Sequence, residues 1–302
     1  MYRSDQLMQI PGRCWRIALS LSPGEHMKEQ KYLDKGYVRL IDSMGSDKLI
    51  EAAARQSYNE EPGSRTADDT RNLIRYLLRH QHTSPFEMAE FVFQIKLPIF
   101  VMRQLVRHRT ASINELSLRY TEAPEDYYIP PMERMVEQSK DNKQCSSDTP
   151  LSEHDQALCH AWIADSSIES RENYNALLGA GLNRETARIV LPLNQYTVIT
   201  YKQDLKNLLH MIALRNHPHA QKEIQELARI MYNLIKQDGR FDYTLEAFED
   251  YQVHGCRLSR AELECIVKSI DFKALSNAIS HSYELSKREA QELIEKIRPS
   301  SR

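Results

Sequence analysis

Residues 89–97 read AEFVFQIKL. Ala89, Phe91, Phe93, Ile95 and Leu97 fall on one side of an extended chain, and Glu90, Gln94 and Lys96 on the other. A period of two with aromatic residues on one side predicts a strand with one face in a core. Pro98 follows, and proline is tolerated where a helix opens. The apolar run IFVMRQLVRH then predicts that helix. A strand that runs straight into a helix commits the chain to a mixed architecture of sheet and helices.

The flanking sequence extends this pattern. Ser46 is placed to cap a helix over LIEAAARQSY, with Leu49, Ile50, Ala53 and Ala54 as its apolar stripe. Residues 59–66, NEEPGSRT, read as a loop. Residues 67–80 read as a second helix, with Leu73, Ile74, Leu77 and Leu78 on one face, and Thr83-Ser84-Pro85 breaks it. Residues 133–153 are polar and irregular and read as a linker or surface loop. A long helix is predicted over 154–178, carrying Leu158, Trp162, Ile168 and Leu177, with Gly179 and Gly181 ending it. RETARIVL reads as a short helix running into Pro192, and QYTVITYK as a strand. Two more helices are predicted over 204–216 and 219–236. The last 50 or so residues read as an appended helical piece, with capping boxes at Ser259/Glu262 and Ser286/Glu289.

Composition removes several function classes. The 302 residues are 41% hydrophobic and 27% charged, which is a folding chain rather than a disordered one. The net charge of -2 argues against a protein that coats nucleic acid or an anionic membrane. No apolar run reaches the length of a membrane helix. Only 9 glycines are present. Gly179-Ala180-Gly181 lacks the third glycine of a dinucleotide-binding loop and follows a helix, so a Rossmann reading is disfavoured. Cys14, Cys145, Cys159, Cys256 and Cys265 show no C-x-x-C spacing, which fits reduced thiols in the cytoplasm. The apolar part of the N-terminus, Ile17 to Leu21, is too short for a signal peptide. Arg3, Arg13 and Arg16 leave an organelle presequence open and Asp5 counts against it; a non-native extension before Met27 is the third reading.

One segment carries chemistry. From 99 to 120 the chain holds Arg103, Arg107, Arg109 and Arg119 against the single acid Glu115, a local charge of +3. Arginine's planar fork suits phosphate and carboxylate. Helical spacing would put Arg103 and Arg107 on one face with Gln104 beside them. A solvated basic surface and a cleft lined with arginine are the two readings. Arg188 in ARIVLPLN and Arg215 after LLHMIAL sit in apolar settings, where an internal salt bridge competes with a bound anion. His80-x-His82 and His217-x-His219 lack a carboxylate at ligand spacing, so no metal is assigned.

Arg107-His108-Arg109 followed, after seven residues, by Ser117 resembles the motif of the flavin-dependent thymidylate synthases. The fuller run RHRTASINELSLRY is similar to the family's motif region. So are HTSPFE at 82–87, ARIVLPLN at 187–194 and the LR-N-H-P-HAQ-EIQ pattern at 214–225. The resemblance spans about residues 30–250. It implies an α+β fold, a helix-flanked sheet that is not Rossmann, with a catalytic domain over 29–250, an N-terminal extension over 1–28 and a helical extension over 251–302. It implies reductive methylation of dUMP to dTMP, with methylenetetrahydrofolate as one-carbon donor, FAD as hydride carrier and NADPH as reductant. It also implies a homotetramer with active sites where subunits meet.

By position, the resemblance assigns Gln104, Leu105, Val106, Arg107, Glu115, Leu116, Ser117, Leu118, Arg119, Arg188 and Arg215 to dUMP. Leu118 would give only backbone, and Arg215 would activate the pyrimidine. It assigns His82, Ser84, Glu87, Arg107, His108, Arg109, Glu115, Asp204, Lys206 and His210 to FAD. No cysteine falls in a matching block, which disfavours a cysteine nucleophile. Ser117 has no Ser-His-Asp partners and reads as a phosphate ligand. The competing classes are a phosphate or RNA binder, poorly supported because from Arg103 to Tyr120 only Tyr120 is aromatic, and an interaction module in the tail, for which a solvated helical extension is the alternative.

Overall fold

The computed structural model describes residues 28–56, 66–140, 142–143, 145–282 and 285–297. Residues 1–27, which include Cys14, and residues 57–65, on which most of the loop expected at 59–66 falls, lie outside them. The chain runs β1 (Lys28–Tyr32), β2 (Gly36–Met44), α1 (Asp47–Arg55), α2 (Ala67–Arg79), β3 (Glu90–Pro98), α3 (Ile99–Leu105) and β4 (Ser112–Glu115). There follow β5 (Val136–Gln138), β6 (Ser146–Pro150), α4 (Glu153–Gly179), α5 (Arg184–Ala187), β7 (Tyr196–Asp204), α6 (Leu205–Arg215) and α7 (Lys222–Asp238). The C-terminal part holds α8 (Asp242–Phe248), α9 (Arg260–Ser269), α10 (Phe272–Ser280) and α11 (Lys287–Ile297). The described residues form two compact units, one within Met1–Met44 and Ala89–Asp238, the other within Gly45–Met88 and Gly239–Arg302.

The first unit is built on a five-stranded sheet in the order β1-β2-β3-β7-β4. Every pairing is antiparallel. The fold is therefore α+β, and a Rossmann sheet, which is parallel, is excluded. The predicted strand is β3, the middle of the sheet, and Phe91, Phe93, Ile95 and Leu97 are fully buried. Gln94, placed on the polar side of the alternation, is buried as well. Its Oε1 accepts from Arg39 Nη1 at 2.7 Å and from the Tyr37 hydroxyl at 3.3 Å. A buried amide is tolerated because its partners come from the neighbouring strand. In α7, Ile224, Leu227, Ala228, Met231, Leu234 and Ile235 are buried at helical spacing. Burying each such Leu or Ile contributes roughly 1.5–3 kcal/mol.

The structure adds three strands that the sequence does not signal and corrects three expectations in this unit. Strands β1, β2 and β4 carry no clean alternation: β1 is KEQKY, β2 contains a bulge between Leu40 and Asp42, and β4 is SINE. The linker at 133–153 contains the β5–β6 hairpin. Helix α3 ends at Leu105, not His108, so Arg103 and Arg107 do not share a helical face. The N–H of Arg107 bonds the Gln104 carbonyl and that of His108 bonds the Leu105 carbonyl, tight turns that lead the chain out toward β4. The predicted helix at 219–236 begins only at Lys222. Helix α4 forms as expected, and its end is a Schellman motif with Gly181 at φ 88. Its Leu158, Trp162 and Ile168 are exposed.

The second unit is helical. Ser46 caps α1 as expected, and a capping box of Thr66 and Asp69 opens α2. Of the α1 stripe only Ile50 and Ala54 are buried. Asp47 is buried and accepts from the N–H groups of Tyr243 and Thr244 and from the Thr244 hydroxyl at 2.6 Å, which caps the start of α8. Both predicted tail boxes form, Ser259 with Glu262 and Ser286 with Glu289. Ile279, Ala290 and Ile297 form a small core under Leu263, Val267, Phe272 and Leu275. Helix α11 is fixed to α2 by charge. Arg75 donates to Glu289 at 3.0 and 3.1 Å, and Arg79 to Glu292 at 2.8 Å and to Glu289 at 3.1 Å. None of the described helices is long and apolar enough to cross a membrane.

Candidate active site

In the first unit the motif segment lies along the open edge of the sheet. Strand β4 pairs only with β7, Ser112 opposite Lys202 and Glu115 opposite Ile199. The pairing continues one residue further, where the Leu116 N–H bonds the Val198 carbonyl at 2.9 Å. Thr197 on β7 donates its hydroxyl to Glu115 Oε1 at 2.8 Å, and Gln203 Nε2 donates to the Thr110 hydroxyl at 2.9 Å. Thr197 and Gln203 are buried. They were not singled out in the sequence, because only the β4–β7 register reveals what they hold. After Leu116 the chain turns, and the Ser117 carbonyl accepts from the N–H groups of Tyr120 and Thr121.

The structure brings Gln104, His108 and Arg215 together. Arg215, the last residue of α6, donates from Nε to His108 Nε2 at 2.9 Å and from Nη2 to the Gln104 carbonyl at 3.4 Å. The Gln104 side chain also meets Gln221. Burial, then the charges of Arg215 and His210, push the His108 imidazole down to about 4. It is therefore neutral at pH 7, and Nε2 has a free lone pair for the arginine.

The remaining arginines are placed differently. Arg103, Arg107, Arg109 and Arg119 are exposed, which is what a solvated basic surface would give. Arg119 pairs with Glu185 at 3.0 Å, an exposed ion pair worth little by itself. Arg119, Tyr120, Asn183, Arg184 and Glu185 line an open depression of about 570 Å³. Arg188 begins the turn after α5 and is half-buried. The internal salt bridge weighed for Arg188 and Arg215 is absent: among the described residues neither makes one with an acid, and neither do Arg107 and Arg109.

Leu105 is buried and Val106 exposed at the end of α3, and Leu118 packs against the cluster of Ala123, Tyr174 and Ala187. The Asp204 carboxylate caps α6 through the Asn207 N–H at 2.9 Å and the Asn207 side chain at 2.8 Å. Lys206 reaches Asn207 Oδ1 at 3.2 Å, and His210 is exposed. His82, Ser84 and Glu87 belong to the second unit and are all exposed around the turn Ser84–Met88. His80, the other member of the pair, meets Glu292 at 3.1 Å.

A family model described as thymidylate synthase complementing protein matches residues 39–238. A flavin-dependent thymidylate synthase of Thermus thermophilus is 44% identical over 265 residues, covering 88% of this chain and 94% of that protein. The chain belongs to the flavin-dependent thymidylate synthase family. A second such synthase, from Ehrlichia ruminantium, is 42% identical over 268 residues, covering 89% of this chain and 88% of its own. The fold agrees with a crystal structure of a UMP/dUMP methylase, PolB, from Streptomyces cacaoi bound with 5-Br dUMP. It is 33% identical with a TM-score of 0.65, covering 74% of this chain and 98% of that one. The same methylase with 5-Br UMP gives a TM-score of 0.64. As a flavin-dependent thymidylate synthase the chain is a methyltransferase, and the motif that suggested the family lies within the matched residues.

Proposed function

We propose that this protein makes dTMP from dUMP, taking the carbon from methylenetetrahydrofolate and the reducing equivalents from NADPH, with FAD as the resident flavin. The observation that carries the reading is the convergence of Arg215, His108 and Gln104 beside Arg107 and Arg109, which pair with no acid among the described residues. That supply of uncommitted cationic donors suits an anionic nucleotide.

The donor chemistry also fits a flavin dinucleotide. Arg107 and Arg109 are exposed forks suited to a diphosphate. His108, Glu115, Lys206 and His210 would add polar contacts, and Asp204 contributes through the start of α6. His82, Ser84 and Glu87 are assigned to the flavin on sequence similarity alone. The flavin supplies the hydride-carrying chemistry when bound.

The chain's own residues do the rest. Arg119, Arg188 and Ser117 hold the dUMP phosphate through charge-assisted hydrogen bonds. Gln104, Arg107, Glu115 and the backbone at Leu116 to Leu118 orient the nucleoside, with Leu105 and Val106 shaping the wall. Arg215 directs its guanidinium to the N3–oxygen edge of uracil and stabilises the anionic form of the ring, so that carbon five becomes nucleophilic. The reading includes a homotetramer in the cytoplasm, a catalytic domain over 29–250 and a helical extension over 251–302. The exposed Trp162 and Ile168 of α4 offer an apolar face that a second copy would cover.

The test is Arg215→Ala in the flavin-loaded protein. Loss of dTMP synthesis with the flavin retained supports activation of the pyrimidine. Loss of the flavin itself makes Arg215 a scaffold residue and removes that step.

A further inference from the structure

From the contact between His108 and Arg215, we infer that His108 is a positioning residue that acts through Arg215: its Nε2 fixes the direction of the guanidinium that meets the pyrimidine. The inference rests on the reading of Arg215 given above. A guanidinium has five N–H donors in one plane. Arg215 uses two of them inside the protein, Nε–H to His108 at 2.9 Å and one Nη2–H to the Gln104 carbonyl at 3.4 Å. Three remain, one on Nη2 and two on Nη1, and the plane is set by two acceptors that both come from α3 and the turn after it. The side chain is half-buried, so these two contacts decide where the fork points.

The kind of acceptor matters as much as its place. A carboxylate at this position would hold Arg215 equally well but would neutralise it. A neutral imidazole orients the guanidinium and leaves its full charge for the anion that develops on the ring. The depressed basicity of His108 keeps Nε2 an acceptor at neutral pH, with the proton on Nδ1. The same histidine lies between Arg107 and Arg109, so the motif would join flavin binding to pyrimidine activation through one residue.

A double-mutant cycle in the FAD-loaded full chain tests this, with dUMP titrated into wild type, His108→Ala, Arg215→Ala and the double variant, and bound flavin read from its spectrum. Each single variant is expected to weaken dUMP by about tenfold, and the double variant to bind no worse than Arg215→Ala. His108→Gln, whose side-chain oxygen can accept from Nε, is expected to recover most of the affinity and to lose less kcat than His108→Ala. Additive losses in the double variant overturn the proposal while leaving Arg215 in its role. So does a His108→Ala or His108→Gln protein that loses flavin but binds dUMP as wild type does. An Arg215→Ala protein with unchanged dUMP affinity and turnover overturns both this proposal and the functional reading beneath it.

Discussion

Glu289 lies 214 residues beyond Arg75 in the chain and meets it at 3.0 Å, with both side chains almost fully withdrawn from solvent. Arg79, the Tyr251 hydroxyl and the Ser286 N–H also converge on the Glu289 carboxylate. Removing one partner of such a cluster strands the others in a poorly solvating interior. Glu289→Ala is expected to destabilise the protein by about 3–5 kcal/mol. Denaturant unfolding measures this, and a loss below about 1 kcal/mol would mean that α11 is not held to α2 by this cluster.

The same carboxylate predicts an acid-labile component of stability. Burial by itself raises Glu289. The Tyr251 hydroxyl, Ser286 and the Arg75 charge outweigh it, and the group falls from its ordinary 4.5 to about 2. A depressed carboxylate favours folding wherever it is ionised in both states. Its contribution is therefore complete above 4.5 and is lost as the pH falls from 4.5 to about 2. Unfolding free energies of wild type and Glu289→Gln should converge over that window. A difference that stays constant through it would contradict the assignment.

Gly36 stands where the β1–β2 turn approaches β3. A Cβ there would come within 2.5 Å of the Lys96 carbonyl and 2.6 Å of the Tyr32 carbonyl, both backbone atoms with little room to move. Gly36→Ala is expected to cost about 1–3 kcal/mol. Gly179, at the end of α4, has nothing within 4 Å of such a Cβ, so Gly179→Ala is expected to be neutral or slightly stabilising. Thermal melts of the two variants should separate in that order.

Ser117 is read as a phosphate ligand rather than a nucleophile. Ser117→Ala should weaken dUMP by about tenfold, the size of one hydrogen bond to a charged group, and leave measurable turnover. A variant that binds dUMP normally but makes no dTMP would reverse that reading.

The sequence reveals the parts of this molecule whose signals are local. The β3 alternation, the caps at Ser46, Ser259 and Ser286, and the Gly181 helix stop are each written in a few adjacent residues, and each forms. Strands β1 and β4 are short and polar because they lie at the sheet edges, so their residues carry no periodic signal. Arg103 and Arg107 part company because the helix yields to the turn that feeds β4. The motif residues were visible as residue types. What orients them was not: Thr197 under Glu115, Gln203 under Thr110 and His108 under Arg215 are long-range contacts set by the sheet register and the packing of α6.

Above all, this chain is a flavin enzyme that methylates dUMP. The most direct measurement is the visible spectrum of the purified protein, followed by dTMP quantified after addition of dUMP, methylenetetrahydrofolate and NADPH. A yellow protein that forms dTMP as NADPH is consumed is the expected result. A colourless protein that takes up no FAD and forms no dTMP would contradict it.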